Sequence, residues 1–163
     1  QGLFAEATFT LTEFLASGTG ESAAQALYGK AATLLARIYA NQGNLAAAME
    51  WAEKAIAAEK LDPEAHYLQA LIFQEQGAED GAIVSLKKAL YLDQAFVLAH
   101  YALANLTLRQ GKTKDAARHL DNAASLLQAY GGDDILPGSE GMSARRLAEI
   151  VASTRGGIGR GRD

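Results

Sequence analysis

The residues of this chain that could perform chemistry are two histidines, two short glycine-rich segments and an arginine-rich terminus. His66 and His100 stand 34 residues apart, and paired imidazoles are common ligands of transition metals. The glycines of 18–20 and 157–159 could let a backbone approach a phosphate group, as glycine-rich loops do in dinucleotide sites. Arginine and glycine are mixed over 155–162, a composition reminiscent of nucleic-acid-binding tails. Each kind of site needs further residues around it.

The surrounding sequence favours structural roles for all three. No acidic residue or cysteine stands near His66 or His100 at ligand spacing, so both are expected to be flat, partly buried side chains in helices. Neither glycine segment follows a strand or opens a βαβ unit, so both are expected to interrupt structure. The arginine-rich end is expected to be solvated. We therefore expect no catalytic residue, no metal site, no cofactor and no enzymatic activity in this chain.

Composition narrows the class of protein further. The chain has 163 residues, of which 49% are hydrophobic, so it can form a substantial core. It has no cysteine, which excludes disulfides and fits a cytoplasmic location. A net charge of −4 gives no general attraction to nucleic acid, and no apolar run is long enough for membrane insertion. Because Gln1-Gly2-Leu3 resembles neither an initiator sequence nor a signal peptide, we expect an internal piece of a longer protein.

The most regular feature of the sequence is an internal period of 34 residues. Gly43, Gly77 and Gly111 follow this period, and helix-forming sequence flanks each of them. Alanines recur seven residues before, five after and twelve after each glycine. Since small residues let antiparallel helices approach closely, these columns predict stacked helix–turn–helix pairs, a scaffold for binding other proteins. The alanines are Ala36, Ala70 and Ala104; Ala48, Ala82 and Ala116; and Ala55, Ala89 and Ala123.

Turn and capping residues predict where the helices begin and end. Gly43-Asn44 predicts a turn, because glycine tolerates the left-handed conformation and asparagine caps the next helix. Asp62-Pro63 predicts a helix start, with an acidic cap and proline at the first helical position. The expected caps are Asn44, Asp62, Asp93, Thr113 and Ser143. The predicted helices are 22–42, 45–60, 64–76, 79–92, 94–110, 113–128 and 144–154.

Segments of different composition flank the periodic region 22–130. Residues 1–21 are predicted to be an N-terminal amphipathic segment and linker. Within it, 3–16 fits an amphipathic helix and also a short strand, and we favour the helix. Residues 131–155 are predicted to form a loop, whose apolar part lies across the last repeat, and a C-terminal capping helix. Residues 156–163 are expected to be a mobile tail.

The pattern of period, turn glycine and crossing alanines resembles the tetratricopeptide repeat. The resemblance implies three repeats, at 29–62, 63–96 and 97–130, in an all-α, right-handed α-solenoid with flanking helices. The chain departs from the family pattern at the position that usually holds tryptophan. That position is eleven residues before the turn glycine, and here it is Ala32, His66 or His100.

A narrower resemblance depends on the second and third repeats and on the sequence Leu-Pro-Gly-Ser-Glu-Gly-Met at 136–142. These segments are similar to the C-terminal repeat region of bacterial chemoreceptor methyltransferases of the CheR type. The resemblance implies a parent enzyme, an S-adenosylmethionine-dependent protein-glutamate O-methyltransferase of chemotaxis. This chain would then be its accessory module, which docks onto receptors or signalling partners or regulates the enzyme. The alternative is a stand-alone repeat adaptor in pilus or envelope assembly.

The family resemblance also implies where a partner would bind. In tetratricopeptide superhelices the first helix of each pair lines a concave groove, which here also includes Lys30, Thr33 and Glu64. The centre of this groove is apolar and aromatic, which suits an amphipathic helix. The alternative is that its tyrosines only cover the neighbouring repeat. The candidate partner-binding residues are Arg37, Asn41, Tyr67, Leu71, Gln74, Tyr101, Asn105, Leu108 and Arg109.

The expected partner is a protein or peptide helix, from a chemoreceptor or another signalling protein. Arg37 and Asn105 are reminiscent of repeats that clamp a peptide carboxylate, but Tyr67 and Leu71 do not suit such a clamp. Residues 3–16 of the same or a neighbouring molecule are a further candidate occupant, so self-association is possible through them. Neither nucleic acid nor a membrane is expected as a partner.

Overall fold

A computed structural model of the protein describes residues 22–160, with side chains over 25–158. This part of the chain is helical, its only other regular feature being a single bridge between Ile135 and Ser143. The all-α class is therefore confirmed. The predicted segment 1–21, including the helix or strand of 3–16, lies outside the described residues. The helices are α1 (Ser22–Asn41), α2 (Leu45–Ala58), α3 (Pro63–Glu75), α4 (Glu79–Leu92), α5 (Val97–Arg109), α6 (Thr113–Leu127) and α7 (Ala144–Arg160).

The three periodic glycines end helices in the manner predicted. Gly43, Gly77 and Gly111 have φ angles of +76°, +73° and +73°, in the left-handed region that glycine adopts without strain. After each of them the next backbone N–H donates to a carbonyl five residues earlier, as in Asn44 to Tyr39 at 2.9 Å. This arrangement satisfies carbonyls that the helix end would leave unpaired. The 34-residue period thus marks three equivalent helix–turn–helix connections.

Three of the five predicted caps are confirmed. The Asn44 side chain accepts from Ala47 N at 3.2 Å, the Asp62 carboxylate accepts from Glu64 N at 2.9 Å, and the Ser143 hydroxyl accepts from Arg146 N at 3.3 Å. These bonds satisfy N–H groups in the first turns of α2, α3 and α7.

The other two predicted caps, Asp93 and Thr113, are wrong. The Asp93 carboxylate accepts from Ala95 N at 2.9 Å and closes a local turn, so α5 begins only at Val97, after Phe96. Aspartate favours such turns because its side chain bonds the backbone two residues on. Thr113 is the first residue inside α6, and the cap position belongs to Lys112, which makes no side-chain capping bond.

The helices form two compact units, divided between Ser85 and Leu86 within α4. In the first unit α1 packs extensively along α2, and α3 contacts both. Its core joins the small residues Ala36, Ala48 and Ala52 to Leu68 and Ile72. Because alanines occupy the helix crossing, the two backbones can approach closely while the larger side chains fill the space beside them. This is the role predicted for the alanine columns.

In the second unit α5 packs against α6, and α6 packs against α7. Leu103, Leu106, Leu120 and Leu147 are among its fully buried side chains. The loop between α6 and α7 lies against the start of α5, as expected. A Cβ atom on Gly138 would lie 3.4 Å from the Phe96 ring and 3.9 Å from Leu98. Leu136 in the same loop is buried, and its N–H donates to the Met142 carbonyl at 3.0 Å.

The last helix is longer than predicted. It was expected to end by residue 155, before a mobile tail, but α7 continues to Arg160. Glycine lowers helix propensity by about 1 kcal/mol relative to alanine, which weakens a helix without forbidding it. The Arg155 guanidinium pairs with the Asp121 carboxylate at 2.7 Å, which ties the exposed end of α7 to α6. The predicted end of this helix is therefore wrong, since 156–160 continue it, and 161–163 lie outside the described residues.

Candidate functional site

An open cleft lies in the first unit, between α1 and the segment that joins α2 to α3. Its volume is about 460 Å³, within the range of pockets that bind ligands. One wall comes from successive turns of α1 and the other from the connecting segment 59–64. The cleft is lined by Lys30, Thr33, Leu34, Arg37, Glu59, Leu61, Asp62, Pro63 and Glu64.

Local sequence fixes the connecting segment in place. The Glu59 N–H donates to the Ala55 carbonyl at 2.9 Å and closes α2, and Asp62 N donates to the Glu59 carbonyl at 3.2 Å. Asp62 then caps α3, and Pro63 occupies its first turn. This tight turn leaves the side chain of Leu61 outside the core, 77% exposed. A hydrogen-bonded turn therefore presents an apolar side chain to solvent at the cleft.

The opposite wall of the cleft is helical and positively charged. Lys30, Leu34 and Arg37 lie four and three residues apart on α1, a spacing that places them on one helix face. Leu34 is 47% exposed. Glu59, Asp62 and Glu64 supply carboxylates on the connecting segment, although that of Asp62 is also the α3 cap. The cleft thus has two walls of opposite charge, each of which carries one exposed leucine.

The predicted groove residues of the first unit differ in how accessible they are. Arg37 is half-buried and lines the cleft, and Asn41 is exposed one turn later on α1. Tyr67 is buried, with only 9% of its surface exposed, whereas Leu71 and Gln74 are half-buried. The cleft therefore includes Arg37 from the candidate partner-binding residues, together with the groove positions Lys30, Thr33 and Glu64. Leu34 and Leu61 were not predicted, because an exposed leucine and a core leucine give the same helical pattern in the sequence.

The predicted groove residues of the second unit all lie on α5. Tyr101, Asn105 and Leu108 are half-buried, and Arg109 is exposed at the end of the helix. Their spacing of three to four residues places Tyr101, Asn105 and Leu108 on one helix face, and their role as partner-binding residues stays a prediction.

His66 and His100 have closely matching environments, each in its own unit. Both are buried near the start of a helix, and each ring places Nε2 near the carbonyl six residues earlier. The distance is 3.4 Å from His66 to Lys60 and 3.1 Å from His100 to Gln94. The predicted structural role of these histidines in the tryptophan position agrees with this geometry.

His100 has a neighbour that the sequence analysis missed. Its Nδ1 atom lies 3.0 Å from Nδ1 of His119 on α6, and the ring centroids are 5.3 Å apart. Burial lowers the pKa of His100, although its bond to Gln94 and the Asp93 charge oppose this. Burial, and then the proximity of His100, lowers the pKa of His119 to about 4. A usable signal was present: His100 stands eleven residues before Gly111 and His119 eight after it, so the hairpin brings them together.

Comparison with known proteins identifies the repeats. The tetratricopeptide-repeat family model matches residues 29–60 and 63–96. A search of curated proteins by sequence found no significant match. Among residues 22–160, no helix combines the length and apolar character needed to cross a membrane.

Solved structures share the fold at low sequence identity. The type III secretion chaperone SycD of Yersinia enterocolitica, in complex with a peptide of the translocator YopD, has a TM-score of 0.71 and 17% identity, covering 82% of this chain and 94% of SycD. PcrH in complex with the chaperone-binding region of PopD has a TM-score of 0.68 and 16% identity, covering 82% and 92%. MamA has a TM-score of 0.66 and 18% identity, covering 96% and 87%. At such identities the likeness establishes the fold alone. Residues 29–60 and 63–96 therefore match the tetratricopeptide-repeat model, and the chain shares its helical-hairpin fold with these solved structures.

Proposed function

We propose that this chain is a protein-interaction module whose first-unit cleft binds a peptide segment of a partner protein. The observation that carries the proposal is the pair of exposed leucines, Leu34 and Leu61, on two rigid elements that form one cleft. Apolar side chains are usually withdrawn from water, and concentrating two of them in a concave site favours a ligand that covers them. Fully burying one such side chain contributes about 1.5–3 kcal/mol.

The charges of the cleft specify the chemistry of the peptide. An apolar side chain of the ligand would lie between Leu34 and Leu61. An acidic residue on one side of it would face the α1 wall with Lys30 and Arg37, and a basic residue on the other side would face Glu59 and Glu64. Oppositely charged walls select the direction in which a peptide lies as well as its composition. The proposed occupant is therefore an amphipathic peptide with separated acidic and basic residues.

Ligands of the structural neighbours support a peptide as the occupant. The SycD structure contains a peptide of the translocator YopD, and the PcrH structure contains the chaperone-binding region of PopD. A third neighbour, the first repeat domain of Spaghetti (RPAP3), is bound to an HSP90 peptide. Each ligand belongs to its own protein. What we transfer to this chain is only the class of ligand, a short segment of polypeptide.

Peptides selected from a displayed random library against the purified chain test this proposal. We expect the selected peptides to bind at least about tenfold more weakly to Leu34→Asp and Leu61→Asp, a loss of ~1.4 kcal/mol or more. Val84→Asp is the matched control, because Val84 is an exposed apolar residue of the same unit outside the lining of the cleft. The proposal is rejected if no peptide is selected, or if all three variants bind the peptides as the wild type does.

The remaining groove residues extend the proposal within each unit. In the first unit the candidate contacts with a peptide are Arg37 and Asn41 on α1 and Leu71 and Gln74 on α3. In the second unit Tyr101, Asn105, Leu108 and Arg109 are the candidate contacts on α5. Tyr101→Ala should weaken the binding of a peptide that the second unit binds. Tyr67 is a poorer test than the sequence suggested, because its burial means that truncation also removes core packing.

We further propose, on sequence resemblance alone, that the module is cytoplasmic and belongs to a chemoreceptor methyltransferase. The support for this proposal is the sequence at 136–142. The similar solved structures give it no further support, because they include secretion chaperones and MamA and no methyltransferase among those named here. The alternative adaptor of pilus or envelope assembly draws support from those chaperones. The sequence encoded immediately upstream separates the two, as either a methyltransferase domain or a signal peptide with a lipid-acceptor cysteine. Direct binding to a purified chemoreceptor cytoplasmic fragment would favour the first.

A further inference from the structure

We propose that His100 and His119 together bind one divalent transition-metal ion of the kind that prefers imidazole, such as Zn²⁺ or Cu²⁺. Both residues belong to the second unit, one on α5 and one on α6, so the site is distinct from the first-unit cleft. Imidazole nitrogen is a preferred ligand of both ions, and Cu²⁺ is bound more strongly than the other divalent ions of its row.

The distance between the two rings matches the spacing of ligands around one ion. Metal–nitrogen bonds of zinc are about 2.0–2.1 Å long, so two nitrogens on one ion lie roughly 2.9–3.4 Å apart for bond angles from square to tetrahedral. The Nδ1 atoms of His100 and His119 lie 3.0 Å apart. Binding therefore requires the rings to tilt so that both lone pairs meet at the ion, and requires no separation of the helices. His119 is only half-buried, which leaves its ring room to tilt.

The backbone already holds His100 in the form that a metal ligand requires. Its Nε2 atom lies 3.1 Å from the Gln94 carbonyl oxygen, which can only accept a hydrogen bond, so Nε2 carries the proton. The neutral ring then has its lone pair on Nδ1, facing His119. A carbonyl bonded to the second ring nitrogen is the usual support of a metal-binding histidine.

The tautomer of His119 follows from that of His100. Since Nδ1 of His100 is an acceptor, Nδ1 of His119 donates its proton across the 3.0 Å gap. When an ion binds, this proton moves to Nε2 of His119 and leaves a second Nδ1 lone pair. Both rings stay neutral, so binding at neutral pH releases no net proton from the pair.

The surroundings leave the remaining coordination positions to water. Within residues 22–160 no three histidine, cysteine or acidic side chains converge, so this part of the chain supplies the two imidazoles as ligands. A cleft of about 410 Å³ opens beside His100, lined also by Gln94, Asn122 and Ser125, and half-buried His119 gives the pair access to solvent from α6. The Asp115 carboxylate attracts a cation near His119, whereas Arg118 and Lys87 repel it.

The chain contains its own control for this proposal. It has three histidines and no cysteine, so every imidazole can be assigned. His66 occupies the position equivalent to His100, but the residue equivalent to His119 is Ser85, whose hydroxyl donates to Gln69 at 2.8 Å. The second repeat therefore has the same supporting geometry and lacks the second ligand.

Calorimetric titration of the full chain with Zn²⁺, without a purification tag, tests the site. We expect the wild-type chain to bind one Zn²⁺ ion. His119→Gln should bind Zn²⁺ at least about tenfold more weakly than the wild type, and His66→Gln should bind it equally well. Circular dichroism verifies that each variant is folded. The proposal is overturned if the wild-type chain does not bind Zn²⁺, if His119→Gln binds as tightly as the wild type, or if His66→Gln weakens binding equally.

A second measurement does not depend on any variant being folded. With one equivalent of Cu²⁺, electron paramagnetic resonance of the wild-type chain counts the imidazole nitrogens on the ion. Two equivalent imidazoles support the site between His100 and His119. A spectrum with one imidazole or none shows that the rings do no more than hydrogen-bond to each other, and overturns the proposal.

Discussion

The aromatic ring of Phe73 packs directly against the backbone of Gly81 across the hairpin of α3 and α4. A Cβ atom on Gly81 would lie 3.1 Å from two atoms of this ring, closer than nearly all real Cβ contacts. Glycine at this helical position therefore lets the ring approach the backbone of the partner helix. The reasoning that explains the alanine columns applies here in a stronger form, since even a methyl group at Gly81 would require the Phe73 ring to shift.

Replacing Gly81 with alanine should give no stabilisation, unlike the same change at Gly29. Alanine normally stabilises a helix interior by about 0.5–1 kcal/mol relative to glycine. At Gly29 the new methyl would meet its nearest atom, Glu59 Cβ, at an ordinary contact distance of 3.5 Å, so Gly29→Ala should realise this gain. At Gly81 the ring of Phe73 must shift, and the free energy of this shift offsets the gain in helix stability. Urea unfolding of both variants measures the difference, and equal gains would show that the ring moves freely.

Substitution of a turn glycine should destabilise the protein through backbone strain alone. A Cβ atom on Gly77 would meet no atom within 4 Å, so the only penalty of Gly77→Ala is its φ angle of +73°. Left-handed backbone costs a residue with a side chain roughly 1–2 kcal/mol. Gly77→Asn should cost less, because asparagine tolerates this conformation. Equal unfolding midpoints for wild type and Gly77→Ala would mean that the turn can rearrange.

The packed part and the exposed end of α7 should contribute very differently to stability. Leu147 is fully buried, so Leu147→Ala should cost about 2–5 kcal/mol in unfolding free energy. The bond between Arg155 and Asp121 joins two largely exposed side chains, and Arg155→Ala should cost less than about 1 kcal/mol. Thermal unfolding of both variants makes the comparison. A larger loss from Arg155→Ala would mean that the end of α7 holds the helix in place.

The histidine pair should make the metal-free protein less stable in acid. Burial lowers the pKa values of His100 and His119, that of His119 to about 4, whereas an unfolded histidine titrates near its ordinary value of 6.5. Between these values the unfolded chain binds more protons, so stability is complete above about pH 6.5 and falls as the pH decreases toward 4. Unfolding free energies measured between pH 6.5 and 4 give the slope of stability against pH. A chelator in the buffer keeps the protein free of metal.

Carboxylates also titrate near the acid end of this range, so the control is His119→Gln. This variant should show a shallower loss of stability between pH 6.5 and 5 than the wild type, because one depressed histidine is absent. Identical slopes for the two proteins would show that His119 does not titrate differently in the folded and unfolded states.

Much of the fold was predictable because it is repeated. The period of Gly43, Gly77 and Gly111 defined three turns, and the buried alanine columns defined where helices cross. The errors occurred where competing local bonds decide a boundary. The Asp93 side chain closes a turn and does not cap α5, and the exposed glycines of α7 remain helical. Neither outcome changes the hydrophobic pattern, so the pattern could not reveal it.

The candidate site was less predictable than the fold. The repeat pattern predicted Arg37 as a groove residue, and Arg37 lines the cleft, whereas the exposure of Leu34 and Leu61 depends on how the segment before Pro63 turns. Likewise, the pairing of His100 with His119 depends on the register of two helices, which only the position of Gly111 encodes. Residues whose roles arise from tertiary register, and not from composition, were the ones missed.

The central claim, that the first-unit cleft is a peptide-binding site, is tested most directly by mapping a selected peptide with backbone NMR. We predict that adding the peptide changes the amide signals of Lys30, Leu34, Leu61 and Glu64, and leaves those around Val84 unchanged. Signal changes confined to the second unit, or spread without preference over both units, would contradict it.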